Sequence, residues 1–404
     1  MLNTLLLTVL LWLTPQANAD VWPTTKSWGE AEDQAFGKWI EKLPLDLFTR
    51  KGSPYQGIYT DCADAAYVLR ILFAYENGLP VKFSNFDRKD LSNANKTWDS
   101  VPEGQPRLRK FINFVRTHTN TQTIVADTYP LEISRNYIKG GALFLHPEGN
   151  KNVPVTYRSG HVYYVTNVFE NGMIRLISST VPEMVRDLQP RVEIVFAPFT
   201  KDGGYRAWKR VGSDVRPGES EMQFSLGRWV ANGYRNGSLW QRWHDAVRAK
   251  LALRRATGAE EFAGALENVK GYIHERTGLV RNSWNIYQRK YRGEGCMSES
   301  DYDSYSTPTR DVKIQSELEI LRRAAVRHVG EDGVYRLFEQ YRFQVTAEHS
   351  VDLNQLWQAY ETDTVLSISE PEHSPEVRWG ITGQDRWPCP HRAKQYVGGE
   401  NIQN

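Results

Sequence analysis

GIYTDCADAAYVLRILFAYENGLPVKF, residues 57–83, sets a cysteine between two acids at the head of an apolar run. From Cys62 to Tyr75 the apolar residues recur at 65, 66, 68, 69, 72 and 73, the recurrence of a buried helix. Gly78-Leu79-Pro80 stops that helix, and Asp61 is placed to cap its start. A helix N-terminus favours the thiolate over the thiol, so Cys62 has the position of a nucleophile. It can equally be half of a disulfide or a small core residue.

The start of the chain bears on that choice. Residues 1–19, MLNTLLLTVLLWLTPQANA, form an apolar run that ends in Ala17-Asn18-Ala19, the pattern of a cleaved export signal. The run is too short and too soon broken to span a bilayer comfortably. No Cys follows it for a lipid anchor, and no second stretch is long and apolar enough to cross a membrane. The expected location is periplasmic or secreted. In such an oxidising compartment three cysteines leave one unpaired. Cys296 (GEGCMSES) and Cys389 (WPCPHR) lie in polar, Gly- or Pro-flanked loop sequence. Pairing those two as a disulfide leaves Cys62 as the free thiol.

Length and charge set further bounds. A chain of 404 residues suits two domains. Its formal net charge of +2, from 50 basic and 48 acidic residues, exerts no global pull on nucleic acid. Thirteen Trp and twenty Tyr suit a carbohydrate- or peptide-handling surface, and equally an aromatic core. No HExxH or CxxC spacing asks for zinc, no P-loop or GxGxxG asks for a nucleotide, and no GxSxG elbow marks a serine hydrolase. No metal or cofactor is expected.

The rhythm changes along the chain. After a short amphipathic helix from Trp22 to about Ile40 and the Cys62 helix, residues 84–104 are loop-like and 105–118 helical. From Gly140 short strands follow: ALFLH, HVYYVTNVF, MIRLISST and VEIVFAPF, with Asn171-Gly172 as a hairpin turn. From about Glu221 to Tyr360 the pattern is helical, and after Ser369 it is Pro- and Gly-rich and extended. The expected division is residues 20–215 for a catalytic-looking domain and 216–404 for an all-α accessory domain with an extended tail.

A nucleophilic cysteine needs a base. Of nine histidines, His161 in SGHVYYVTN is the one that opens an apolar strand directly after Ser-Gly, and His146 in LFLHPEG is the second choice. His118, His244, His274, His328, His349, His373 and His391 stand in polar or helical surface contexts.

These segments resemble a known family. GIYTDCADAAYVLR resembles the nucleophile motif of NlpC/P60-type cysteine peptidases, and YIKGGALFLHPEGN…SGHVYYVTNVFENGMIRLISST is similar to their second block. Ser53-Pro54-Tyr55-Gln56-Gly57 is similar to the family's Pro-Tyr segment, whose tyrosine lines the site. The resemblance covers about residues 50–210. Ala63-Asp64 replaces the family's Ser-Gly, Gly140-Gly141 replaces Gly-Asp, and the long interval from Cys62 to His161 implies an insertion around 84–130. The implied fold class is α+β: a papain-like core, its nucleophile helix packed on a small antiparallel sheet, plus the all-α C-terminal domain. The implied activity is amide hydrolysis in peptidoglycan stem peptides or other peptides. Alternatives are a wall-binding module on a degraded peptidase fold, and a thiol acyltransferase or lipid-acting enzyme of the superfamily.

The family takes a third polar residue from the strand after the histidine. A two-residue Asn171-Gly172 turn pairs Glu170 with Met173 and Val165 with Ser178. Ser178 then shares the His161 face and is placed to accept from Nδ1–H, with Asn167 as second choice. The Cys62 backbone N–H would hold the oxyanion, with Tyr55 or Tyr59 as second donor. In CMSESDYDSYSTPTRDVKI, Arg310 can reach for a substrate carboxylate. The favoured reading of that stretch is a loop feeding a helix, with Thr307 as N-cap and Pro308 at N1.

Overall fold

A computed structural model of the chain describes residues 20–146, 160–192, 202–221, 223, 237–292, 295–362, 370–383 and 389. The leader at 1–19, the tail beyond 389 with His391, and most of VEIVFAPF lie outside the described residues. The fold is mixed α+β.

The N-terminal half gathers around helix α2, Cys62–Asn77, with α1 (Glu30–Glu41), α3 (Gln105–His118) and α4 (Thr121–Asp127) beside it. Every α2 residue from Cys62 to Ala74 is buried. A helix apolar all round must be enclosed, and each of Leu69, Ile71, Leu72 and Phe73 contributes about 1.5–3 kcal/mol by leaving water. Asp61 starts α2 as part of a capping box. Its carboxylate accepts from the Asp64 N–H at 2.9 Å, and the Asp64 carboxylate accepts from the Asp61 N–H at 3.2 Å. Gly78 ends the helix, as expected. The helix expected from Trp22 begins only at Glu30; the chain before it is extended because its indoles dock on the exit of α2, where Trp22 donates to the Leu79 carbonyl at 2.9 Å and Trp28 to that of Pro80 at 2.7 Å.

A two-residue ladder, β1 (Lys82–Phe83) with β2 (Leu91–Ser92), precedes the main sheet. That sheet is antiparallel and six-stranded, in the order β3 (Thr128–Pro130), β8 (Gly204–Trp208), β4 (Leu143–His146), β5 (His161–Val168), β6 (Ile174–Ser178), β7 (Gln189–Val192). Strand alternation splits β5 between two cores. Val162 and Tyr164 face α2, where the Tyr164 hydroxyl donates to the Ala66 carbonyl at 2.8 Å. Tyr163 and Val165 face the opposite way, onto Trp243, Val247 and Leu251 of helix α5 (Gly237–Leu251). At the entry to β4, Gly141 sits at φ +86 with a would-be Cβ 3.2 Å from the Gly37 Cα, so the Gly-Gly pair there is dictated by α1.

The C-terminal half is built on α6 (Gly258–Ile286), which runs on through a π-helical segment (Tyr287–Tyr291). After a short α7 (Glu299–Tyr305), α8 (Pro308–Val329) packs along α6 through Leu266, Val269, Ile273, Ile314, Leu318 and Leu321. Helices α9 (Glu331–Glu339), α10 (Leu353–Glu361) and α11 (Pro375–Arg378) complete it. This half is not all-α: β9 (Arg342–Gln344) and β10 (Ser350–Asp352) form a hairpin between α9 and α10. Phe343, Val345 and Val351 alternate there with polar residues, over a run too short to read as periodicity. Cys296 and Cys389 form a disulfide with Cα atoms 5.9 Å apart, and Cys62 is free. Among the described residues no helix is long and apolar enough to cross a membrane.

Candidate active site

Cys62 is the first residue of α2 and is 6 % exposed. Its position is fixed from the residue before the cap. Thr60 bridges Met184 by backbone hydrogen bonds, and its hydroxyl lies 3.0 Å from that of Ser179. The Ser179 hydroxyl also reaches the Thr60 carbonyl at 3.2 Å. The start of α2 is thus tied to the chain directly after Ser178.

The thiol lies against the start of β5 and donates to the Gly160 carbonyl at 3.7 Å. Among the described residues it makes no hydrogen bond to His161. Burial pushes the thiol up to about 12, with Asp61 adding to the rise, while the N–H groups of Val162 and Ala63 oppose it. Cys62 therefore rests as a neutral thiol. The His161 imidazole is driven well below its ordinary range by burial, with the charges of Lys313 and Arg191 adding to the fall. That shift favours the neutral imidazole and makes it a weaker base than a histidine in water.

Ser178 meets His161, by a register other than the expected one. The hairpin loop has three residues, Glu170 to Gly172, because the Phe169 N–H donates to the Met173 carbonyl at 2.8 Å and Gly172 takes φ +80. A bulge at Thr166 then slips the register once more, so Val165 faces Leu176 rather than Ser178. One slip would turn Ser178 to the wrong face, and the second restores it. The contact is Ser178 Oγ to His161 Nε2 at 3.3 Å, so Nδ1, the expected partner, is left for another role.

The remaining candidates stand elsewhere. The bulge turns Asn167 to the α1 side, where it is exposed near Glu41 and Arg175. Tyr55 donates to Glu76 at 2.5 Å, at the far end of α2, and Tyr59 is 53 % exposed. Neither tyrosine lines the cavity at Cys62. His146 faces His161 directly across the β4–β5 ladder, where burial pushes it down to about 3. His244 and His373, expected on the surface, are buried, and neither reaches the cavity. Pro308 opens α8 as expected, whereas the Thr307 side chain accepts from Arg378 at 3.1 Å and does not cap.

Cys62, His161 and Ser178 line one cavity of about 220 Å³, and the helical half supplies its opposite wall. Tyr272 and Glu275 come from α6, and Arg310 and Lys313 from α8. Arg191 of β7 lies over the Tyr272 ring at 4.0 Å and donates to Glu275 at 3.0 Å. Arg310 donates to the other Glu275 oxygen at 3.4 Å and to the Val181 carbonyl at 2.7 Å. Burial pulls the Glu275 carboxyl up, but Arg191, Arg310 and Lys313 outweigh it and hold it below its ordinary value. Burial pulls the Lys313 ammonium down, against the attraction of Glu275. Sequence reasoning missed Lys313, Glu275, Tyr272 and Arg191. One signal was available: Arg310 and Lys313 stand near the start of a helix, where cations oppose the macrodipole and require a reason.

A larger cavity, about 330 Å³, lies by α1 between Asp33, Arg70 and Arg210, and no cysteine or histidine lines it. Among the described residues no group of His, Cys, Asp and Glu could hold a metal ion. No protein-family model, curated protein or solved structure matches the chain.

Proposed function

We propose that this chain is an exported cysteine hydrolase of NlpC/P60 type that cleaves an amide bond in peptidoglycan stem peptides. The observation that carries this reading is the meeting, in one small cavity, of the free thiol at a capped helix start with a histidine held by a serine. Ser178 steadies the imidazole at Nε2, which leaves Nδ1 to take the thiol proton as substrate enters. The thiolate attacks the amide carbonyl, and the Cys62 N–H, unpaired at the helix start, faces the developing oxyanion. His161 returns the proton to the leaving amine, and water then releases the acyl group from sulfur. The substrate class rests on the resemblance alone.

One observation favours a second reading, a non-hydrolytic wall-binding module. The thiol is neutral and bonded to Gly160, with no hydrogen bond to His161. Digestion of purified peptidoglycan with the mature protein and with Cys62→Ala, read by mass spectrometry, separates the two. Stem-peptide fragments from the wild type alone are expected. Their absence with wall binding retained would establish the binding module, and absence of both would reject the substrate.

A further inference from the structure

We infer that the cavity beside α1 is a binding site for a small apolar molecule that ends in one carboxylate, and that Arg70 and Arg210 receive that carboxylate. The site is separate from the one at Cys62: none of Cys62, His161 and Ser178 lines it.

Arg70 is the one charged residue in the buried run of α2 from Ala65 to Ala74, and it is 3 % exposed. Its guanidinium lies over the Trp28 ring, Cζ 3.2 Å from the centroid, with the Phe36 ring 4.8 Å away. Such stacking occupies the face of the group and leaves the donors at its edge free. Among the described residues none of those donors makes a hydrogen bond. Asp33 stands 3.9 Å from Nη2, beyond hydrogen-bond reach, and Nη2 is shut off from solvent without a partner. The Asp33 carboxylate is engaged by Arg210 instead, whose Nε donates to Oδ2 at 2.8 Å. The other nitrogens of Arg210 make no hydrogen bond among the described residues. Burial pushes the Arg70 guanidinium down to about 10, with Asp33 opposing, so it remains a cation at neutral pH. A buried cation with its donors idle is unfavourable, and an apolar side chain would fill the same place without that cost. Its place at a cavity wall implies an acceptor that arrives.

The chemistry of the acceptor follows from charge and shape. In the covered part of the cavity two guanidiniums face one carboxylate, which leaves one positive charge. Glu30 and Lys139, both exposed, offset each other at the rim. One carboxylate completes that balance, whereas a phosphate dianion exceeds it beside Asp33. Two coplanar oxygens also match the edge of a stacked guanidinium. The remaining walls are apolar. The rings of Phe36, Tyr129 and Trp208 line the cavity with their polar tips already committed, Tyr129 donating to the Pro217 carbonyl at 3.3 Å and Trp208 to the Tyr164 hydroxyl at 2.9 Å. They offer faces to an apolar or aromatic body. A volume of about 330 Å³ suits a small molecule.

Two probes of the same shape and different charge test the site: 4-fluorobenzoate and 4-fluorobenzamide, titrated against the full chain and read by fluorine NMR. The benzoate is expected to bind saturably and about ten- to a hundredfold more tightly than the amide, the scale of one charge-assisted hydrogen bond. Arg70→Met should abolish that preference, and acetate should displace the benzoate where equal inorganic phosphate does not. Arg210→Gln, which leaves the buried guanidinium in place, should weaken the benzoate severalfold and tests the site independently if Arg70→Met folds poorly. Equal binding of the two probes, binding of neither, or a preference that survives both substitutions overturns the inference. Phosphate binding that Arg70→Met removes, with no benzoate binding, overturns the assignment of a carboxylate.

Discussion

Replacing Asp311 by Asn should unfasten the helix that carries Lys313. Arg276 of α6 and Asp311 of α8 form an ion pair with both side chains fully buried, Nε to Oδ1 at 2.5 Å. The Tyr360 hydroxyl donates to the same carboxylate at 3.1 Å, and Arg276 donates onward to the Arg378 carbonyl at 3.0 Å. The Arg378 guanidinium is itself fully buried, and burial and then Arg276 push it down to about 9. Loss of the Asp311 charge leaves two buried guanidiniums facing each other. Removing one partner of a buried pair costs about 3–5 kcal/mol, a large fraction of the roughly 5–15 kcal/mol by which a domain is stable. At a urea slope of about 3 kcal/mol per molar, the unfolding midpoint of the helical half should fall by roughly 1–2 M. Arg276→Met alone should cost about as much, since it strands the carboxylate. The double variant Arg276→Met/Asp311→Leu should lie within about 1–2 kcal/mol of wild type, because apolar replacement of the whole pair is often near neutral. Asp311 lies between Arg310 and Lys313, so Asp311→Asn should also speed iodoacetamide labelling of Cys62. Single variants costing under about 1 kcal/mol, or a double variant as poor as the summed singles, would refute the reasoning.

Three further outcomes follow from the same structure. Ser178→Ala should lower kcat roughly two- to tenfold, the value of one neutral hydrogen bond, with KM little changed; an unaltered kcat would show that Ser178 does not position His161. Because burial raises the Cys62 thiol, the thiolate fraction grows with pH, and labelling by iodoacetamide should climb about tenfold per pH unit from pH 7 to 10 without a plateau. A plateau below pH 8 would mean that the thiolate forms in the resting state. The Cys296–Cys389 bond spans 93 residues, so Cys389→Ser should lower stability by about 4–5 kcal/mol in the chain-entropy account, seen as an earlier urea midpoint. A shift under 1 kcal/mol would show that the tail is held by other contacts.

The N-terminal helix and its cap were legible in the sequence because both are local. Asp61 and Asp64 are three residues apart, the apolar recurrence of α2 is continuous, and Gly78 stops it within its own turn. The choice of Cys62 as the odd thiol was legible too, since it rests on counting and on loop composition. The hairpin was legible in kind but not in register. Asn171-Gly172 marks a turn, yet the loop's third residue and the bulge at Thr166 depend on how β5 and β6 twist over both cores.

What the sequence by itself determined is the helix that Cys62 heads, the strand that His161 opens, and Cys62 as the free thiol. What the tertiary structure alone decided is where the two meet and what encloses them. His161 lies on the sheet face turned toward α5, and it lines one cavity with Cys62 at the end of a strand whose other face packs on α2. Helices α6 and α8 then close the cavity with Glu275, Arg310 and Lys313, residues more than a hundred positions from Cys62. Periodicity reports which residues are buried, but not which element buries them. That is settled by long-range packing, through which the buried Arg276–Asp311 pair holds α8 with Lys313 at the cavity wall.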